Sequence, residues 1–155
     1  MLNYIIIILI FVIVTVFIIQ FIGLLKGERP EILGIHNNQL RACPEKSNCV
    51  SSYSSYSSNL KFNIEPLPYF STAENSITKI QKTLLGIKGI TIITQDKDYI
   101  YAECKSFFLG FVDDLEVYCD ESKQRCFVRS ASRLGYSDFG VNRKRIEKIR
   151  KLIQK

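Results

Sequence analysis

The sequence predicts an α+β protein: an antiparallel sheet of four to five strands with helices packed on one face, in the order β-α-β-β-β-β-α, preceded by one transmembrane helix. Three observations predict it. Leu2 to Leu25 contains no charged residue and is dominated by Ile, Val, Leu and Phe. Four β-rich runs between Ile90 and Arg133 are joined in pairs by short polar turns. Two segments with apolar residues at helical spacing flank those runs. The chain divides accordingly into an anchor at 1–25, a linker with a Cys-containing loop at 26–59, and an α+β domain at 60–155.

The first element is long enough to span a bilayer, which needs about 20 apolar residues at ~1.5 Å rise each. It is also longer than the apolar core of a signal peptide, usually about 7–15 residues. No Lys or Arg precedes it, and its exit, "GLLKGERP", lacks a small-x-small cleavage pattern. An uncleaved single-pass anchor is therefore expected. Two signals on orientation conflict. Lys26 and Arg29 follow the span, which by the positive-inside rule favours a cytoplasmic domain. Five cysteines, with Cys43 close to Cys49 and Cys119 close to Cys126, favour an oxidising, extracytoplasmic (periplasmic) setting. The second is preferred.

After the polar linker, "CPEKSNCVSSYSSYSSN" reads as a loop, since Ser and Asn favour local side-chain to backbone bonds. Tyr53 and Tyr56 are placed to pack it down. "LKFNIEPLPYF" reads as a short strand, confined by Pro66 and Pro68 to an edge or a terminus. In "STAENSITKIQKTLLGI", Ser71 or Thr72 caps a helix whose Ala73, Ile77, Ile80, Leu84 and Ile87 share a face. "ITIITQD" and "YIYAECKS" form one hairpin, and "FVDDLEVYC" and "CFVRSASR" another. "NRKRIEKIRKLIQ" is the last helix, capped by Asn142 or Asp138, with Val141, Ile146, Ile149 and Ile153 on one face.

If Cys119 faces Cys126, the register of the second hairpin follows. Val117 pairs with Val128, Leu115 with Ser130 and Asp113 with Ser132. On the other face Glu116 meets Arg129 and Asp114 meets Ala131, with Arg129 and Arg133 diagonal to Asp114. As a solvent-exposed pair Glu116–Arg129 is worth a few tenths of a kcal/mol. At the strand end Asp113, Asp114, Arg133, Tyr136, Ser137 and Asp138 converge beside a helix N-terminus, which favours anions. Asp113 and Asp114 point to opposite faces, which argues against a catalytic carboxylate dyad.

Charge is concentrated at the C-terminus. Residues 141–155 hold seven Lys or Arg and one acid, net +6; residues 1–140 hold 14 basic and 14 acidic residues, net zero. Arg143, Lys144, Lys148 and Lys151 are expected to attract anionic lipid head groups beside the anchor. Nucleic acid is not expected, because that helix carries no aromatic residue for stacking. One histidine, His36, no His–Cys cluster and no Cys-x-x-Cys leave neither a metal nor a redox site to expect. No cofactor fingerprint is present. Cys104 reads as a core residue.

"CPEKSNCVSS", "IEPLPY", "FVDDLEV" and "VRSASRLGYSDFGVNRKRIEKIR", in that order, resemble the domain-of-unknown-function 1499 family over Cys43 to about Leu152. The resemblance implies a small, mainly bacterial and plastid domain, often behind a membrane segment or signal, with no established reaction. It carries over to Cys43, Asn48 and Cys49, to Glu65, Pro66 and Pro68, and to Asp113 and Asp114. In the closing motif it carries over to Arg129, Ser130, Ser132, Arg133, Gly135, Tyr136, Ser137, Asp138, Gly140, Asn142 and Arg143. The chain departs from the pattern at Lys46-Ser47, where the family usually has a proline before Asn-Cys, and Cys104, Cys119 and Cys126 are particular to it. A Cys43–Cys49 bridge is thus expected more firmly than a Cys119–Cys126 one.

The functional expectation is a non-enzymatic envelope module that binds a small anionic ligand or a partner protein. Its site would comprise Asp113, Asp114, Arg129, Arg133, Tyr136, Ser137, Asp138, Asn142 and Arg143, with Arg133 and Arg143 on the anion. One alternative is a hydrolase with Asp113 or Asp138 as general base. Another is a purely structural polar network that locks the last helix to the sheet, with the basic helix held against lipid.

Overall fold

The computed structural model describes residues 2–53, 62–107 and 109–154. Tyr56 and the start of the stretch expected as the first strand, 60–61, lie outside them.

Helix α1 spans Leu2–Leu25. Its Tyr4–Leu25 portion is long and apolar enough to cross a membrane, and none of it is buried against the rest of the chain. A signal sequence would meet the same description.

The domain is built on a five-stranded antiparallel sheet. Its strands are β3 (Cys49–Ser51), β4 (Ile90–Gln95), β5 (Tyr99–Lys105), β6 (Val112–Asp120) and β7 (Arg125–Ser132), in the order β3-β7-β6-β5-β4. Two-residue strands β1 (Ile35–His36) and β2 (Gln39–Leu40) form a separate hairpin. The register of β6 on β7 is the one that the cysteine spacing predicts, with Cys119 opposite Cys126 and Asp113 opposite Ser132. The α+β class and the four hairpin strands are as expected.

The fifth strand is not. The 62–70 segment makes only isolated bridges, Asn63 to Ser51, Leu67 to Cys126 and Phe70 to Thr72. The edge position falls to Cys49–Ser51, inside the stretch read as a loop. The proline-bearing segment lacks amide donors at Pro66 and Pro68 and cannot continue a ladder.

Helices α2 (Ala73–Leu85) and α3 (Val141–Ile153) cover one face. Thr72 caps α2 by accepting from the Asn75 amide at 3.1 Å. Ile77, Ile80 and Leu84 of α2 and Ile146, Ile149 and Ile153 of α3 meet Ile100, Leu115, Val117 and Val128 of the sheet. Val141, expected on that apolar face, is instead exposed at the N-terminus of α3, and Asn142 takes the buried place. Gly89 after α2 has φ +87°, and a Cβ there would lie 2.8 Å from the Lys105 carbonyl oxygen. Only glycine lets the chain pass β5 so closely.

The opposite face is also covered. Residues 33–40 fold across it, and Leu40, Tyr53, Tyr99, Tyr101, Tyr118 and Phe127 form a second, aromatic layer with Leu33 and Ile35 against it. Tyr53 stacks on Phe127 with ring centroids 4.3 Å apart and donates to the Asn38 carbonyl at 2.7 Å.

Both close cysteine pairs are bridged, Cys43–Cys49 and Cys119–Cys126. Cys104 is a free, buried thiol, and burial pushes its pKa up to about 11.

Candidate functional site

The polar motif after Phe127 divides between the two faces of the sheet, because side chains alternate along β7 and β6. On the aromatic face Arg133 is the hub. Its Nε donates to both oxygens of Asp114 at 3.1 Å. Its Nη2 donates to Asp114 Oδ1 at 2.7 Å, Glu103 Oε1 at 2.5 Å and the Tyr101 hydroxyl at 3.0 Å. The Tyr101 hydroxyl in turn donates to Asp114 at 2.7 Å. Arg29, just past α1, donates to the same Glu103 oxygen at 2.7 Å. Burial works against the Arg133 charge, but the carboxylates of Asp114 and Glu103 outweigh it and hold its pKa above the ordinary guanidinium value. Burial likewise raises Glu103, and hydrogen bonds from Arg133 and Arg29 outweigh that and hold it below the usual carboxylate range.

Four residues earlier on β7, Arg129 Nη1 meets Glu116 Oε2 at 3.1 Å, with side-chain exposures of 6% and 0%. Glu116 Oε1 accepts from the Tyr99 hydroxyl at 2.9 Å and the Gly34 amide at 2.8 Å. The pair is therefore no surface ion pair of a few tenths of a kcal/mol, because the 33–40 segment covers it. Removing one partner of a buried pair costs about 3–5 kcal/mol.

On the helix face Arg145 is the hub. It donates to Asp113 Oδ2 at 2.5 Å, to Ser130 Oγ at 3.0 Å and to Asn142 Oδ1 at 2.5 Å. Asn142, fully buried, donates to the Asn48 carbonyl and to Ser132 Oγ, both at 3.0 Å. Asp138 accepts from the Gly140 and Asn142 amides at 3.0 and 2.7 Å from just outside α3, whose N-cap position is held by Gly140 in a left-handed conformation and not by Asp138 or Asn142 as expected. Asn48 holds the exit of β7 by donating to the Gly135 carbonyl at 2.7 Å, and the Cys43–Cys49 bridge fixes Asn48 in place.

The nine expected site residues thus fall in several places. Asp113, Ser137 and Asp138 line one pocket, together with Ser132. Tyr136 is exposed beside it. Asp114, Arg129 and Arg133 belong to the buried network of the aromatic face. Asn142 is internal to the helix-face network, and Arg143 reaches the Asn63 carbonyl at 2.7 Å. Sequence reasoning missed Arg145 and Glu103. Arg145 hides in a charge run, yet its position three residues after Asn142 and next to Ile146 places it on the inward side of the helix. Glu103 carried no signal, because its partners come from residues 29 and 133.

The pocket has a volume of about 320 Å³ and lies where β5, β6 and β7 reach the same end of the sheet. Phe111, Val112, Leu134, Phe139 and Val141 make most of its wall, with Ser106, Ser132, Ser137, Asp113 and Asp138 as its polar part. Among the described residues no group of three or more His, Cys, Asp or Glu is placed to hold a metal ion.

These features define a small α+β domain with two internal ion networks, stapled by disulfides and preceded by an apolar helix. Residues 39–153 match the family described as protein of unknown function (DUF1499), and the chain belongs to that family. No curated protein matches the chain. The apolar helix is compatible with a membrane anchor or a signal, and the disulfides point to a domain outside the cytoplasm.

Proposed function

We propose that the protein is a single-pass, membrane-anchored binding module of the cell envelope, and that its site is the pocket at the end of β6 and β7. The observation that supports this reading best is the convergence of an apolar wall with polar groups in one concave site. Binding suits it better than hydrolysis. Asp113 is held by Arg145 and Asp138 by the amides of α3, so each acid already has structural work to do.

The same geometry shapes the ligand. Arg133 and Arg143 do not line the pocket; they are engaged by Asp114 and Glu103 and by the Asn63 carbonyl. The polar groups at hand are hydroxyls and carboxylate oxygens, so the site favours an apolar molecule carrying a hydrogen-bond donor such as a hydroxyl over a small anion. A fatty alcohol bearing a photoactivatable diazirine tests this. Photolysed with the full chain in detergent, it should label the peptides that contain Phe111 and Leu134–Val141, and Val141→Trp, which fills the pocket, should abolish that labelling. Labelling confined to Leu2–Leu25, or unchanged in the variant, would refute the site.

A second reading accounts for the rest of the polar motif. Asn142, Arg145, Ser130 and Asn48 form a lock between α3, β7 and the disulfide loop. All three arginines of α3, Arg143, Arg145 and Arg150, serve the fold, while Lys144, Lys148 and Lys151 remain exposed. Those lysines supply the attraction for anionic lipid expected of this helix.

A further inference from the structure

The two ends of the sheet differ in chemistry. At one end lie the turns Asp96–Asp98 and Glu121–Gln124, which are polar and charged. At the other end, around the mouth of the pocket, large apolar side chains stand out in solvent. Phe139 is 90% exposed, Phe107 80%, Tyr136 69% and Leu109 56%, with Leu134 and Val141 beside them. They come from two separate connections, β5–β6 and β7–α3, so the patch is a product of the fold and not one greasy loop. Clustered exposed apolar groups of this kind mark a surface that is covered in use.

The chain itself indicates what covers it. The last turn of α1 continues to Gly27, whose amide donates to the Leu24 carbonyl. Gly27 sits directly on the β7–α3 connection: a Cβ there would lie 2.8 Å from Arg133 Cβ and 3.0 Å from Leu134 Cγ. The Arg29–Glu103 ion pair fastens the next residues to the end of β5. The end of the span is thus clamped to the aromatic end of the sheet, with no length of linker to hold them apart. If α1 crosses a bilayer, this end of the domain lies at that bilayer's surface.

Charge agrees with that placement. Exposed Lys26, Lys88, Lys105 and Lys144 surround the patch, and the Lys88 ammonium lies 5.3 Å from the Phe107 ring centroid. The nearby acids Glu103, Asp113, Asp114 and Asp138 are each bound by an arginine or by backbone amides, and the exposed acids Glu28 and Glu45 each follow or precede a lysine, Lys26 and Lys46, within two residues. Aromatic tips inside a ring of lysines match the interfacial zone of an anionic membrane, where rings sit at headgroup depth and ammonium groups meet lipid phosphates.

We infer that the domain docks onto the bilayer that anchors it, inserting Phe107, Leu109, Tyr136 and Phe139 into the interface, so that the pocket opens toward lipid. This rests on the anchored-module reading and deepens it, since ligand would then enter from the membrane and not from solution.

The chain contains no tryptophan, so one introduced tryptophan is an unambiguous reporter. Full-length Phe139→Trp, Tyr136→Trp and, at the opposite end of the sheet, Lys97→Trp would each be incorporated into nanodiscs of phosphatidylcholine with phosphatidylglycerol, with and without acyl-chain-brominated lipid. Docking requires blue-shifted emission, quenched by bromine, at positions 139 and 136 but not at 97. It also requires that quenching at 139 weaken when Lys105 and Lys144 are both changed to Gln. The same red, unquenched emission at all three positions, from protein that co-elutes with the discs, would overturn docking and leave the anchor intact. Protein that fails to co-elute with the discs would overturn the anchor reading and docking with it.

Discussion

Arg133 carries more of this structure than any other side chain of its motif. It is the shared donor to Asp114, Glu103 and Tyr101, and only 6% of its side chain is exposed. Arg133→Ala should therefore destabilise the domain by about 3–5 kcal/mol, because it leaves the Asp114 carboxylate buried without a counter-charge. Adding Asp114→Asn should recover part of that loss, as urea denaturation of the two variants would show. Loss of less than about 1 kcal/mol would mean that the network is weak and the motif serves something else. Glu103 makes a matching prediction in pH. Its pKa in the fold lies below the ordinary carboxylate range, and an unfolded glutamate titrates near about 4.3. Its stabilising contribution is therefore complete above that value and is lost as pH falls through the folded pKa. The urea midpoint should drop on acidification, and Glu103→Gln should flatten the drop.

Among the elements, α3 shows how one helix can be both core and clamp. Ile146, Ile149 and Ile153 bury its apolar stripe, while Asn142 and Arg145 of the same side bind β7 and β6 through Ser130, Ser132 and Asp113. Asn142→Ala should cost about 2 kcal/mol or more, since it strips partners from the Asn48 carbonyl, from the buried Ser130 hydroxyl and from the half-buried Ser132 hydroxyl at once. Hydrogen exchange offers the check: amides at the start of α3 and in β3 should lose protection before those of β5 and β6. Uniform loss across the sheet would show that the helix is held by its apolar stripe alone. The hairpins were legible because alternation, turn residues and the cysteine spacing agreed on one register. The edge strand Cys49–Ser51 was not, because three residues carry no periodicity of their own and pair only where β7 offers a free edge.

At the scale of the whole molecule, the chain is pinned at both ends of its domain. Arg29 ties the exit of α1 to β5, and α3 closes over the opposite face. Five cysteines then sort into two bridges and one buried thiol. Native protein should take up no alkylating reagent, and unfolded, unreduced protein should take up one equivalent per chain at Cys104, read by intact mass. Burial raises that thiol's pKa to about 11, so its resistance should persist above pH 8, where an exposed thiol becomes reactive. More than one equivalent would mean open bridges and would remove the argument for an extracytoplasmic domain. The sequence by itself determined what depends on neighbours along the chain: the apolar span, the amphipathic stripes of α2 and α3, the two hairpins and the alternation that separates Asp113 from Asp114. The family pattern marked a set of polar residues on β6, β7 and the start of α3. Which of them face solvent was decided by tertiary structure alone. Burial depends on what packs from above, and here the cover comes from residues 33–40, whose composition reads as a linker. That cover on one face and α3 on the other turned an apparent anion site into two internal ion networks, while the aromatic end beside the exit of α1 stayed exposed.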